Sequence, residues 1–317
     1  MSPLPATPWL PPDQEHWTTA ELEYLGIGRT ARRRLITTGD LARLRPGLFA
    51  RRRTASSPGL CEMADQTLRA HAHRSATRPD AAYVYSHTSA ARLRGLKFLR
   101  DSSVIHVSCA SNPCPRRLGA GVRTHIVRLP EEHIEEIAGI RCTTLERTII
   151  DCARIMPLED AVVLADQALS LGADRGLLLR MLDGMAGYRG VVNVRRVVEL
   201  ADPRSESVAE SRARLLFHHE NIPQPVPQWR VMTPLGPRYL DFAWPEAMLA
   251  AEFDGKVKYF GEKPTDQALY EERLRERHLM ELGWRFVRLT WTDLERPGEV
   301  RRRITSTLRG SAPPSHP

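Results

Sequence analysis

Asp241-Phe-Ala-Trp-Pro-Glu-Ala-Met-Leu-Ala-Ala-Glu252-Phe-Asp254-Gly255-Lys256 is the stretch whose reading decides the fold. It reads as two adjacent strands, 238–243 and 248–254, the second almost wholly apolar until it delivers acids at its exit. Side chains alternate across a strand, so Glu252, Asp254 and Lys256 share one side, and Asp241 reaches them from the neighbouring strand. Outward from this pair, the pattern predicts a helix over 208–220 and a loop with Pro223, Pro225 and Pro227. It then predicts a strand over 228–233, a helix over 265–282 stopped by Gly283, a strand over 284–290 and a helix over 299–308. The order α-β-β-β-α-β-α describes helices packed on a mixed sheet.

Acids gathered at strand ends supply hard oxygen ligands of the kind that hold Mg²⁺ or Mn²⁺. Glu210, Asp241 and Glu252 are the candidate metal ligands, and Asp254 joins Asp241 and Glu252 as a candidate catalytic acid. Lys256 or Lys258 offers a cation or base beside them. A structural account competes at two positions. Asp254-Gly255 is also a turn dipeptide, and Ser207-Val-Ala-Glu210 is also a helix capping box.

At 317 residues the chain has room for two or three domains, and it divides at 16–58, 59–202 and 203–310, with Asp202–Ser205 as the linker candidate. The proline-rich first 15 residues and the last few read as disordered. In the first region Thr18-Thr-Ala-Glu21 opens a short helix, a second helix runs over 29–37, and Pro46-Gly47 turns a basic hairpin. That is the plan of a winged helix-turn-helix. Nine arginines and one acid, Asp40, lie between Arg29 and Arg53. Arg32, Arg33 and Arg34 fan around the second helix, and Arg43 and Arg45 sit on the hairpin, as phosphate-contacting groups would. The middle region is α+β: helices over 60–72 and 86–95, strands over 82–85, 104–109 and 122–128, then helices over 144–153, 158–171, 176–182 and 190–200.

Arg273 and Arg277 lie one helical turn apart and are further candidates for phosphate, although Glu271, Glu272, Glu276 and Glu281 offer them ordinary ion pairs. A net charge of +8 and a pI near 9.6 favour a polyanionic partner. Five cysteines, an odd number, argue for a reduced, cytoplasmic setting rather than a disulfide framework. Cys109 and Cys114 near His106 make half of a zinc pattern, with no second close pair. Neither a basic-then-apolar leader nor a membrane-length apolar run is visible, so no membrane association is expected.

The segment from Ser205 to Leu308 resembles the very-short-patch-repair-like endonucleases of the PD-(D/E)XK superfamily. The resemblance rests on Glu210-Ser211 with Arg214, on Asp241-Phe242, on Glu252-Phe-Asp254-Gly255 and on Gly283-Trp-Arg-Phe-Val-Arg288. It implies a restriction-endonuclease-like core and Mg²⁺-dependent cleavage of DNA. Two departures stand out: Asp254 occupies the place of the superfamily lysine, and no histidine follows it closely. Lys256 completes an Asp-x-Lys, or Lys258 takes the histidine's place. Residues 18–170 resemble the AbiEi antitoxin family. The matching pieces are Leu41-Ala-Arg-Leu-Arg-Pro-Gly-Leu-Phe49, Ser86-His-Thr-Ser-Ala-Ala-Arg-Leu-Arg-Gly-Leu96 and Thr144-Leu-Glu-Arg-Thr-Ile-Ile-Asp151. That resemblance implies a winged-helix DNA binder, with a toxin partner or a second copy of itself. The leading expectation is therefore a DNA-binding protein with a Mg²⁺-dependent endonuclease domain, and the alternative is a non-catalytic AbiEi-type regulator with a degenerate nuclease fold.

Overall fold

The computed structural model describes residues 10–11, 14–45, 47–51, 60–76, 83–100, 102–111, 118, 121–254 and 266–310. They fall in two compact units, 1–152 and 153–317. Among the described residues the chain is mixed α and β, with three separate sheets.

The first unit opens with strand β1 (His16–Thr18), helices α1 (Thr19–Tyr24) and α2 (Arg29–Thr38), and strands β2 (Leu41–Arg45) and β3 (Leu48–Arg51). Thr18 caps α1 as its sequence predicts. Its hydroxyl accepts from Glu21 N at 3.2 Å, and its own N–H donates to the Glu21 carboxylate at 2.6 Å. Gly39 closes α2 at φ 85°, a left-handed position that glycine adopts without strain. The three strands form an antiparallel sheet in the order β1-β3-β2. Trp17, Leu22, Ile27, Leu35, Leu41 and Phe49 bury themselves between sheet and helices.

Two features here depart from the sequence reading. The strand β1 is too short to alternate detectably. The end of the proline-rich lead is not loose: Leu10 is buried in the same core, and Arg51 donates to the carbonyls of Leu10 and Pro11 at 3.1 and 2.6 Å.

Helix α3 (Leu60–Ala76) leads to a five-stranded sheet of β4 (Val84–Tyr85), β5 (Ile105–Cys109), β6 (Val122–Ile126), β7 (Ile134–Ile137) and β8 (Ile140–Thr143). The sheet order is β6-β5-β4-β8-β7. Helix α4 (His87–Leu93) follows β4, and α5 (Leu145–Ala153) follows β8. The strands β5 and β6, read in sequence as joined by a turn, pair in parallel, which requires a crossover rather than a hairpin. The hairpin β7–β8 is not visible in sequence, because Glu135 and Glu136 stand side by side and hide the alternation. Its two-residue turn, Ala138 at φ 49° and Gly139 at φ 77°, has the positive angles of a type I′ connection.

The second unit carries α6 (Leu158–Ser170), α7 (Arg175–Asp183), α8 (Val191–Leu200) and α9 (Val208–His219). A four-stranded sheet follows, from β9 (Val226–Thr233), β10 (Gly236–Trp244), β11 (Leu249–Phe253) and β12 (Arg285–Leu289). Helix α10 (Asp266–Glu281) precedes β12, and α11 (Trp291–Leu294) and α12 (Pro297–Arg309) end the unit. The sheet order is β12-β11-β10-β9, antiparallel except for the parallel pair β11–β12 that α10 bridges. One face buries Phe242, Trp244, Leu249 and Val287 against Phe217 of α9 and Val300 and Ile304 of α12. The other buries Ala243, Ala250 and Trp284 against Leu279 of α10. The predicted order of elements after residue 205 is the observed one, with the short α11 added.

The expected linker 202–205 is pinned. Asp166 of α6 is fully buried, accepts the Asp202 N–H at 2.7 Å, and takes both Nη2 contacts of Arg214 of α9 at 2.7 and 2.9 Å. Burial pushes the Asp166 carboxyl up, against the opposing pull of Arg214. Removing one partner of such a pair leaves an uncompensated buried charge. Arg214→Ala is therefore expected to lower stability by about 3–5 kcal/mol in urea unfolding. The exposed Arg204–Asp202 pair, with Arg204 54% exposed, is expected to give less than about 1 kcal/mol on Arg204→Ala. Equal losses from the two variants would contradict this account of how α9 is held.

Candidate functional site

The acidic centre is built by the pairing of three strands. Phe242 faces Ala251 in the antiparallel pair β10–β11, which brings Asp241, the residue before Phe242, to the end of β11 that carries Glu252. Glu252 lies beside Arg288 in the parallel pair β11–β12. Arg288 Nη1 donates to Glu252 Oε2 at 2.6 Å, and Arg275 of α10 donates to Glu252 Oε1 at 3.3 Å. Arg275 also donates to the Tyr239 carbonyl at 2.9 Å, and Arg288 reaches Glu276 at 3.2 Å. Glu252 is 5% exposed, so both of its oxygens meet guanidinium in a place where water competes little.

Asp241 accepts the Phe253 N–H at 2.9 Å, which fixes it against the end of β11. Glu210, at the start of α9, is buried and accepts from Glu206 N at 2.9 Å, Ser207 Oγ at 2.7 Å and Gln228 Nε2 at 3.1 Å. Gln228 holds φ 51°, a left-handed backbone angle within β9. Burial raises the Glu210 pKa, and the nearby Asp241 charge adds to the rise, while the three hydrogen bonds oppose it. Asp254 is exposed at the strand end, where its N–H donates to Leu289 O at 2.8 Å.

Mg²⁺ demands octahedral oxygen ligands at about 2.0–2.1 Å. The donor set here does not meet that demand. Both Glu252 oxygens are engaged by arginine, and Glu210, Asp241 and Glu252 do not bring donor atoms within 4.8 Å of one another as a group. Lys256 and Lys258 lie outside the described residues, as does the side chain of Arg273. Arg277 is exposed on α10. The arginine of α10 that reaches Glu252 is Arg275, for which the sequence reading offers Arg273 and Arg277 instead. A signal for it existed: Leu279, four residues on, is in the core, and residues four apart share a helix face. Trp284 is buried in that core.

The basic cluster of the first unit separates into structural and exposed members. Arg32 is mostly buried and donates to Glu23 at 3.0 Å and to the Ile27 carbonyl at 3.3 Å. Arg51 is spent on Leu10 and Pro11, with its guanidinium 5.5 Å from the Trp17 ring. Arg29, Arg33 and Arg34 on α2 and Arg43 on β2 are exposed, and among the described residues none of these four forms an ion pair. The side chain of Arg45 lies outside the described residues.

A second group was not legible in sequence. His87, His106 and His125 place one ring nitrogen each within 4.8 Å of the others. Burial lowers the His106 pKa to about 4, with His125 and Arg123 adding to the fall. The sequence pattern had coupled His106 to Cys109 and Cys114 instead. Cys109 stands three residues further along β5 and so on the opposite face of the strand, while Cys114 lies outside the described residues.

No protein-family model matches the chain. Two proteins of Mycobacterium tuberculosis resemble it: the uncharacterized proteins MT2308 of strain CDC 1551 / Oshkosh and Rv2248 of strain ATCC 25618 / H37Rv. Each is 31% identical over 178 residues, which is 55% of this chain and 64% of the relative. The chain therefore spans under two thirds of the length of the curated relatives it matches. Among solved structures, the RV2827C protein of Mycobacterium tuberculosis aligns at TM-score 0.38 and 17% identity, covering 64% of this chain and 76% of that one.

The raised Glu210 pKa fixes the sign of a pH effect. A carboxyl that holds its proton more tightly when folded stabilises the fold below its unfolded pKa and loses that contribution as pH rises through the folded value. The stability of Glu210→Gln relative to wild type is therefore expected to be higher at pH 7 than at pH 4, as read by urea unfolding at both. A difference that stays constant or falls would contradict the placement of Glu210 beside Asp241.

Proposed function

We propose that this chain is a DNA-binding protein of the regulator class, and that its nuclease-like C-terminal sheet is a non-catalytic scaffold. The observation that carries the reading is α2, which buries Leu35 and presents Arg29, Arg33 and Arg34 on its exposed side beside Arg43 of β2. The strand order β1-β3-β2, with two helices between β1 and β2, supports reading this part as a winged helix-turn-helix. Exposed arginines at such a helix are suited to DNA phosphates, and the net charge of +8 favours the encounter. The AbiEi-like pieces are consistent with this role, and a toxin or a second copy is the protein partner they imply. No helix among the described residues is long and apolar enough to cross a membrane, and the proposed setting is the cytoplasm, where DNA is available.

The doubly paired Glu252 supports the non-catalytic half of the reading, since a carboxylate neutralised by two guanidinium groups is a poor ligand for a second cation. The endonuclease reading has one observation of its own. The raised Glu210 pKa marks surplus negative charge between Glu210 and Asp241, which a cation would relieve. Cleavage would require Arg275 and Arg288 to leave Glu252.

Each phosphate contact contributes about 0.9 to the slope of log K against log salt. With a fluorescein-labelled mixed-sequence duplex as probe, Arg33→Ala/Arg34→Ala is expected to reduce that slope by about 1.8 in anisotropy titrations. An unchanged slope would remove α2 from the DNA interface. Supercoiled plasmid incubated with the protein and Mg²⁺ or Mn²⁺ is expected to stay intact. Cleavage by wild type that is lost in both Asp241→Ala and Glu252→Ala would establish the endonuclease reading instead.

A further inference from the structure

Three imidazoles converge in the first unit from three different elements. His106 lies on β5 and His125 on β6, two register positions apart in the parallel pair, since His106 faces Arg123 and His125 faces Ser108. His87 begins α4 at φ 52°, a left-handed angle uncommon for a residue with a Cβ. The His87 and His125 rings stack at 3.7 Å between centroids, and the His106 ring lies 5.1 Å from that of His125. His87 and His106 are 5% and 4% exposed, and His125 is half-buried.

The ring nitrogens lie close together. His106 Nδ1 and His125 Nε2 are 2.9 Å apart, and one nitrogen of each of the three rings falls within 4.8 Å of the others. Tetrahedral zinc with bonds of about 2.0–2.1 Å holds its ligand nitrogens roughly 3.3 Å apart. The three rings are stacked, with 16–28° between their planes, and His106 and His125 are hydrogen-bonded through these nitrogens, so metal binding turns the rings out of the stack and replaces that hydrogen bond. The surroundings supply the outer support that metal-bound histidine uses. His87 Nδ1 lies 2.9 Å from Ser86 Oγ, which in turn accepts from Ser108 Oγ at 2.8 Å, and both serines are buried.

We propose that His87, His106 and His125 form a Zn²⁺ site. Borderline-soft Zn²⁺ suits an all-imidazole set, whereas Mg²⁺ and Ca²⁺ want oxygen. Three protein ligands leave the fourth tetrahedral position to water or an incoming anion, at the half-buried His125 side. The metal ties the start of α4 to β5 and β6. The proposal is independent of the acidic centre in the second unit.

The test uses the tag-free full-length protein, stripped with chelator and exchanged into metal-free buffer. Calorimetric titration with ZnCl₂ is expected to show one site per chain, and His125→Ala is expected to weaken it at least 100-fold. His218→Ala/His219→Ala, which removes an exposed neighbouring pair in the other unit, is expected to leave it unchanged. Co²⁺ in place of Zn²⁺ is expected to give the intense visible ligand-field absorption of a four-coordinate ion. Binding that survives His125→Ala, or that disappears with His218 and His219, overturns the proposal. A weakly absorbing six-coordinate Co²⁺ spectrum on the wild-type protein also overturns it, whether or not the histidine variants fold.

Discussion

A carboxylate gripped from both sides governs the second unit. Glu252 stands at the end of an apolar strand, and burying its charge there would be costly if it were alone. Arg288 comes from the adjacent strand in register, and Arg275 comes down from the helix that connects the two strands. Sheet register and helix docking are thus tied to one ionic contact. Arg275 faces the sheet because Leu279, one turn later, is seated in the core. The same arrangement sets the chemistry. Guanidinium groups engage both Glu252 oxygens, so this one carboxylate is paired within the protein.

The rest of the acidic cluster follows a different logic. Glu210 is held by a backbone N–H, a serine hydroxyl and a glutamine amide, none of which carries charge. Its proton affinity rises because burial and Asp241 outweigh those bonds. One carboxylate is therefore neutralised and another is left under electrostatic pressure a short distance away. The basic surface of the first unit shows a comparable division, since Arg32 and Arg51 hold the fold while Arg33, Arg34 and Arg43 face solvent.

Much of this was legible in the chain, and the failures have physical causes. Helices with a long apolar period, such as α6, α8 and α9, stood out, as did β10 and β11, because each has one face that must be buried. Strands of three or four residues, or with two adjacent glutamates as in β7, carry too little alternation to be seen. The capping box at Thr18 was local and therefore readable. The parallel register of β5 and β6 was not, because it depends on contacts remote in sequence, and the histidine cluster depends on that register. His87 adds a left-handed backbone angle that no residue pattern announces. Arg275 belongs to a middle class: helical spacing from Leu279 would have selected it over its neighbours, yet the charge pattern drew attention to Arg273 and Arg277.

Arg275 and Arg288 hold the two Glu252 oxygens that the proposed metal ligation would use. Calorimetric titration of MgCl₂ into the wild-type protein and into Arg275→Met/Arg288→Met tests it most directly. The account predicts no measurable binding to wild type and the appearance of a Mg²⁺ site once both guanidinium groups are gone. Tight binding to the wild-type protein, abolished by Glu252→Gln and indifferent to the two arginines, would contradict it.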